Sequence, residues 1–132
     1  MKRKSLLLVI ALLATSGANA GVVDDLLRQY QAQASQPFDA ERAKALWTAK
    51  HRDPETGKDI SCSTCHTADL RKAGEHNTTG KPIEPMAPSI NPQRLTDAAK
   101  IEKWFKRNCK GTFNRECTPQ EKGDFLTYFR NQ

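Results

Sequence analysis

The segment Cys62-Ser63-Thr64-Cys65-His66 constrains this chain more than any other part of its 132 residues. Two cysteines separated by two residues place both thiols on one side of a short turn, and a histidine follows at once. This C-x-x-C-H pattern is the attachment sequence of haem c. The thiols would face the vinyl groups of one porphyrin, and a neutral imidazole suits iron as an axial ligand. The motif therefore predicts one covalent haem on Cys62 and Cys65, with His66 as proximal ligand.

Two other uses of a C-x-x-C pair fit the rest of the chain less well. A thioredoxin-like redox motif requires a βαβ context, and no alternating strand pattern is present. A four-cysteine zinc site would want a second C-x-x-C, but the remaining cysteines, Cys109 and Cys117, are separated by seven residues. In an oxidising compartment this second pair favours a disulfide.

The first twenty residues have the features of a secretory signal peptide. A basic head over residues 1–4 precedes the apolar run 6–13, and Ala18-Asn19-Ala20 is a small-x-small cleavage site. The run is shorter than the about 20 residues that a membrane-spanning helix needs. We expect cleavage after Ala20, export to the periplasm and one mature domain over residues 21–132. Export supports the haem interpretation, because haem is attached to such motifs outside the cytoplasm.

The charge balance argues against a nucleic-acid-binding protein. The chain has 21 basic and 15 acidic residues, and three of the basic residues lie in the predicted signal peptide, which leaves a net charge of +3. A local basic cluster nevertheless occupies one short stretch: Lys100, Lys103, Lys106, Arg107 and Lys110. It is either an ordinary solvated helix face or a docking surface for an acidic redox partner.

Apolar spacing and capping residues predict an all-α fold. The predicted helices cover Val22 to Ala34, Asp39 to about Lys50, and Asp97 to Asn108 after a Thr96 cap, and a last helix starts at Thr118. Pro119 and Glu121 complete that last start as a capping box. A short helical turn from Cys62 is expected to run on toward Leu70. The long segment Arg71 to Arg94 is rich in glycine and proline, as expected of a loop wrapped around the edge of a flat cofactor.

Spacing alone leaves the sixth ligand of the iron open. Met86 is the default, because Met/His ligation makes an ordinary electron carrier. However, only 20 residues separate Met86 from His66, a short path to the opposite face of a haem, and Met86 could simply pack at its edge. His76 lies in a polar loop and His51 in a charged turn, where solvent exposure is the simpler interpretation. The residues by themselves therefore favour either Met86 or an open position.

A larger set of residues carries a family resemblance. It comprises residues 101–109 (IEKWFKRNC), 115–119 (RECTP) with Glu121-Lys122, the loop residues 71–74 (RKAG) and 79–81 (TGK), and residues 39–42 (DAER). Together they resemble the sphaeroides haem protein family of high-spin c-type cytochromes. The resemblance extends over nearly all of the mature chain. It implies a small class I-like cytochrome c fold, with about four to five helices wrapped around one covalent haem.

The resemblance also implies a different distal ligand. The family uses an asparagine placed just before the first disulfide cysteine, which corresponds to Asn108 here. That asparagine leaves the iron on reduction, and the open position binds oxygen or nitric oxide. The family further implies a dihaem cytochrome c as electron donor and a membrane cytochrome b upstream of it. We expect a monomer whose haem iron is bound by His66 and Asn108. The alternatives are a plain electron carrier with His66/Met86 ligation, or a gas sensor or scavenger, and the sequence leaves open whether a bound ligand is also reduced.

Overall fold

A computed structural model describes residues 21–132, so the predicted signal peptide lies outside the described residues. Within this range the chain forms five helices and two small hairpins. The helices are α1 (Val22–Gln31), α2 (Ala40–Thr48), α3 (Cys62–His66), α4 (Ala98–Phe113) and α5 (Pro119–Arg130). The strands are β1 (His51–Arg52), β2 (Asp59–Ile60), β3 (Gly74–Glu75) and β4 (Pro82–Ile83). No helix in residues 21–132 has the length and apolarity needed to cross a bilayer.

Side-chain caps fix where the longer helices begin. The Asp39 carboxylate accepts a hydrogen bond from the backbone N–H of Glu41 at the start of α2. At the start of α5 the Thr118 hydroxyl accepts from the Glu121 N–H, and the Glu121 carboxylate accepts from the Thr118 N–H, which confirms the predicted capping box. The predicted cap of α4 is one residue off, because Asp97 rather than Thr96 accepts from the first turn, at 3.0 Å from the N–H of Lys100.

Helix ends were harder to predict. The first helix stops at Gln31, three residues before Ala34, and α3 stops at His66 instead of running on toward Leu70, since Thr67 takes a positive φ of 65°. The prediction that the third long helix ends at Asn108 is wrong. Helix α4 continues to Phe113 and ends at Asn114, which adopts the left-handed conformation.

The two hairpins are absent from the sequence prediction. In the first, His51 pairs with Ile60 around a turn at residues 54–56. In the second, Gly74 pairs with Ile83 inside the long loop. Each strand is only two residues long, which is too short for an alternating pattern to register. The hairpins brace the loops on either side of α3 and leave the architecture helical.

The core forms where α1 and α2 pack against α5. Leu26 and Tyr30 of α1 and Trp47 of α2 are buried against Phe125 and Phe129 of α5. The Trp47 ring centroid lies 5.4 Å from that of Phe129 in an edge-to-face arrangement. Helix α4 adds Ile101 and Phe105 to the same core. This core also supports α3, because Trp47 contacts the Cys62–His66 motif.

Candidate haem site

Helix α3 carries the three predicted haem-binding residues on little more than one turn. Cys62, Cys65 and His66 all lie within α3, and both thiols are free and partly exposed. The Ser61 N–H donates to the Thr64 hydroxyl at 2.9 Å, so one of the two intervening residues holds the start of the turn. Burial raises the pKa of the Cys62 thiol to about 11. Two free, partly exposed thiols on one short helix match the donor set that haem c attachment requires.

The imidazole of His66 is neutral and incompletely partnered. Its Nδ1 is buried and has no hydrogen-bond partner among residues 21–132. Burial, followed by the positive charge of Arg94, lowers the pKa of His66 to about 4. The neutral imidazole is the form that binds a metal, and a buried nitrogen without a partner is unfavourable in a finished fold. The histidine therefore suits an axial ligand of iron.

Trp47 holds the end of α3 against the core. Its indole Nε1–H donates to the carbonyl oxygen of Thr67 at 2.8 Å, and its ring centroid lies 5.5 Å from that of His66. Thr67 is the residue at which the helix breaks. The contact therefore ties the orientation of His66 to α2 and, through the aromatic cluster, to α5.

The long loop folds back onto α3 at two points. A Cβ built on Gly74 would lie 1.9 Å from the carbonyl oxygen of Cys65, so only glycine lets β3 approach the motif so closely. Further along, the N–H groups of Met86 and Ala87 both donate to the carbonyl oxygen of Leu70 at 2.9 Å. Leu70 is buried and lies four residues after His66. The backbone at Met86 is thus fixed beside the His66 end of the motif.

Helix α4 approaches the motif from another direction. The hydroxyl of Thr112, a buried residue of α4, lowers the pKa of the Cys62 thiol against the larger, raising effect of burial, so this part of α4 lies near the motif. Asn108 lies one turn earlier on the same face, about 6 Å along the axis from the helical rise, and its side chain is exposed. The predicted disulfide is confirmed: Cys109 is bonded to Cys117 with a Cα–Cα separation of 5.6 Å. Asn108 therefore stands inside α4, directly before a covalent tie to the start of α5.

The other histidines have different surroundings. His76 is exposed between β3 and β4, and its Nδ1 accepts the backbone N–H of Thr79 at 3.2 Å, which makes it part of that turn. His51 is less exposed than its charged neighbours suggested. Its Nε2 is buried without a partner among residues 21–132, and its ring lies 4.7 Å from that of Phe113. Within residues 21–132, no hydrogen bond or ring contact joins either histidine to His66.

Arg94 is the site residue that sequence reasoning missed. Its Nε donates to the carbonyl oxygen of Pro85 at 2.9 Å, and its Nη2 donates to that of Glu84 at 2.6 Å. The charge of the same residue acts on His66. An arginine that ends a proline-rich loop gives no sequence signal of such a role, since it lies 28 positions after the histidine.

Comparisons with known proteins agree on one family. A family model described as a domain of unknown function, DUF1924, matches residues 33–129. The chain is 47% identical over 109 residues to cytochrome c-type protein SHP of Cereibacter sphaeroides, covering 81% of each protein. It is 32% identical to cytochrome c'' of Methylophilus methylotrophus, covering 97% of this chain and 94% of that protein.

Solved structures give the same result for the fold. The structure of oxidised SHP, described as an oxygen-binding cytochrome c, superposes with a TM-score of 0.75 at 45% identity and covers 83% of this chain and 96% of that one. Oxidised cytochrome c'' from Methylophilus methylotrophus gives 0.74 at 30% identity, with 84% and 94% covered. The predicted helical cytochrome c fold is confirmed. The chain belongs to the sphaeroides haem protein family of c-type cytochromes, and its cofactor is one covalently bound haem c.

Proposed function

We propose that this chain is an exported monohaem cytochrome in which Cys62 and Cys65 hold the haem, His66 is the proximal ligand and Asn108 is a displaceable distal ligand. The haem iron, once reduced, supplies a binding position for a diatomic molecule such as oxygen or nitric oxide. The observation that supports this proposal is the effect of the Thr112 hydroxyl on the pKa of the Cys62 thiol, because Thr112 shares a face of α4 with Asn108. A relative of similar sequence is described as oxygen-binding, which supports the same assignment.

The chemistry of Asn108 suits a ligand that can leave. An amide is a weak neutral donor compared with imidazole or thioether, so the harder ferric iron tolerates it better than ferrous iron does. Asn108 has an exposed side chain and no hydrogen bond from that side chain to residues 21–132, so nothing in this range holds it away. The adjacent Cys109–Cys117 bridge fixes the backbone while leaving the side chain free to rotate.

Met86 is placed less favourably for the same role. Its N–H is bonded to Leu70 O, and its side chain packs partly buried against the core. These backbone bonds to Leu70, four residues after His66, hold Met86 beside the His66 end of the motif. Met86 therefore fits a packing residue at the edge of the cofactor better than an axial ligand.

Export and domain limits belong to the same proposal. We assign residues 1–20 as a signal peptide cleaved after Ala20 and residues 21–132 as the mature periplasmic domain. The family match over residues 33–129 falls entirely within that domain. The Cys109–Cys117 disulfide also suits an oxidising compartment.

The electron donor is proposed to dock on the basic face of α4. This basic face consists of Lys100, Lys103, Lys106 and Arg107, which are exposed and have no carboxylate within 4 Å among residues 21–132. Lys110 differs, because it pairs with Glu116 at 3.7 Å. An acidic partner would be attracted to such a face. We propose a dihaem cytochrome c in that role, with a membrane cytochrome b upstream, and a monomeric chain as its acceptor.

The spin state of the reduced protein tests the proposal. Absorption and magnetic circular dichroism spectra should show a high-spin ferrous haem that changes on adding oxygen or nitric oxide, because Asn108 has left the iron. A low-spin ferrous spectrum that is indifferent to both gases would overturn the proposal and support a plain electron carrier with His66/Met86 ligation. Absence of covalent haem in the purified periplasmic protein would overturn it at an earlier step.

A further inference from the structure

We propose that Arg94 binds a propionate carboxylate of the haem and raises the reduction potential of the iron. The inference rests on the proposed function, because it takes His66 as the proximal ligand. It assigns Arg94 a double task, as the clamp of the loop at residues 84–87 and as the cation that compensates a carboxylate of the cofactor.

The surroundings of Arg94 leave part of its guanidinium unused. Both of its hydrogen bonds go to neutral carbonyl oxygens, those of Glu84 and Pro85. A guanidinium has five N–H donors in a planar fork that fits a carboxylate. Arg94 forms no ion pair within 4 Å among residues 21–132, although the charge of Glu84 acts on it from a greater distance. Donors on Nη1 in particular have no partner within that range.

The comparison with the other arginines makes Arg94 exceptional. Most of those in residues 21–132 pair with an aspartate or glutamate: Arg28, Arg42, Arg52, Arg115 and Arg130. Arg71 and Arg107 lack such a partner but are exposed, so water solvates them. Arg94 alone among the described arginines combines partial burial with the lack of a carboxylate. A partly buried cation of this kind is unfavourable until an anion accompanies it.

The contacts of Arg94 place this partly buried, unpaired cation at the haem site. Burial lowers the pKa of Arg94 despite the opposing effect of Glu84. The carbonyls that it holds belong to the two residues before Met86, whose N–H is bonded to Leu70 O. The loop at residues 84–87 is therefore fixed at one end by Arg94 and at the other by Leu70, which lies four residues after His66.

The propionates of haem are the carboxylates that the cofactor itself brings to this region. A planar guanidinium binds a carboxylate through charge-assisted hydrogen bonds, which are stronger than bonds to neutral acceptors. The pairing would compensate the buried charge of Arg94 and keep the carboxylate ionised. Because the ferrous state carries one positive charge less than the ferric state, a nearby cation favours reduction. Loss of Arg94 would leave an uncompensated carboxylate, which favours the ferric state.

Potentiometric titration of the haem-loaded protein tests this inference. Arg94→Gln should lower the reduction equilibrium constant about tenfold, equivalent to about 59 mV for a one-electron couple. Arg94→Lys, which keeps the charge and loses the planar fork, should recover part of the difference. The matched control is Arg52→Gln, since Arg52 has a side chain that is 74% exposed and pairs with Asp59. We expect the control to stay within about twofold of the unmodified protein.

The pH dependence separates a carboxylate partner from a general loss of charge. A carboxylate deprived of Arg94 has a higher pKa, so the window in which the potential falls with rising pH should move to higher pH in Arg94→Gln. A potential in the unmodified protein that falls on adding phosphate, with no such response in Arg94→Gln, would show that Arg94 binds a free anion and would overturn the assignment. Identical potentials and pH profiles in Arg94→Gln and Arg52→Gln would do the same.

The readout also distinguishes this inference from the proposed ligation. All variants should retain covalent haem, and their ferric spectra should match the unmodified protein if Asn108 and His66 ligation is intact. A shifted potential with an unchanged ferric spectrum supports Arg94 as a propionate partner. Should Arg94→Gln fold poorly, the comparison of Arg94→Lys with the unmodified protein still decides the case, because an unchanged potential and pH profile in Arg94→Lys would contradict the need for a planar fork.

Discussion

Gly74 and the carbonyl oxygen of Cys65 are in such close approach that a Cβ on Gly74 would lie 1.9 Å from that oxygen. The neighbour is backbone, so it cannot rotate away as a flexible side chain would. Strand β3 is therefore pressed directly on the haem motif. Gly74 lies outside α3, yet the shape of the site requires a glycine at this position.

Replacing Gly74 with Ala should damage the site, because either β3 or α3 must move. We expect a drop of at least about 2 kcal/mol in the free energy of unfolding and a lower yield of covalent haem. Gly111→Ala is the matched control: it lies in exposed α4 with nothing within 4 Å of the added Cβ, and alanine should stabilise that helix by about 0.5–1 kcal/mol. Denaturant unfolding and haem quantification would measure both. Equal behaviour of the two variants would contradict the close approach.

Asp124 is a second position where a large loss is expected. It is 2% exposed, and it accepts hydrogen bonds from the Asp39 N–H at 2.8 Å and from two nitrogens of Arg42. Asp124→Ala leaves these donors unpaired at the junction of α2 and α5, which should cost about 3 kcal/mol. The exposed pair between Arg28 and Asp25 offers the control, and Arg28→Ala should cost under about 1 kcal/mol. Thermal or denaturant unfolding followed by circular dichroism would show a ranking opposite to this one if Asp124 were merely a surface charge.

Replacing each cysteine pair in turn should separate the effect of haem attachment from that of the disulfide. The Cys62→Ala/Cys65→Ala double variant should lose covalent haem and leave a largely unfolded chain, because the haem is a large part of the core of so small a domain. Cys109→Ala/Cys117→Ala should keep covalent haem but lose about 2.5 kcal/mol, from a disulfide that closes a loop of eight residues. Acid extraction of the haem and far-ultraviolet circular dichroism would measure both effects. A compact, helical, haem-free form of the first variant would contradict this expectation.

Local sequence signals predicted the helices and the attachment motif but not the contacts that complete the site. The C-x-x-C-H motif and the Thr118–Glu121 capping box are encoded within five residues each, so they could be predicted without a fold. The end of α4 could not, because Gly111 weakens the helix locally while the tertiary contacts of Cys109 and Thr112 carry it on to Phe113.

Contacts between residues that are distant in the chain could not be predicted from the sequence, for a different reason. Trp47 reaches Thr67 across 20 residues, and Arg94 lies 28 residues from His66. Neither relationship leaves a periodicity or motif in the chain, because only the folded loop brings the partners together. In the sequence, only the family resemblance favours Asn108 over Met86 as the distal ligand. In the structure, the packing of α4 is what favours it.

Asn108 and Met86 provide the decisive pair of substitutions. Asn108→Ala removes the proposed distal ligand from an exposed position and leaves the apolar contacts of α4 intact, so the fold should persist. The ferric protein should become five-coordinate or take up water, and it should bind added ligands such as cyanide faster because nothing has to be displaced. Met86→Leu is nearly isosteric at a partly buried site and should cost under about 1.5 kcal/mol while leaving the ferric spectrum nearly unchanged. Absorption and electron paramagnetic resonance spectra of the two ferric variants, with ligand-binding rates, would compare them directly. A spectrum that shifts in Met86→Leu and not in Asn108→Ala would make this protein an ordinary electron carrier, because the thioether and not the amide would then be the sixth ligand.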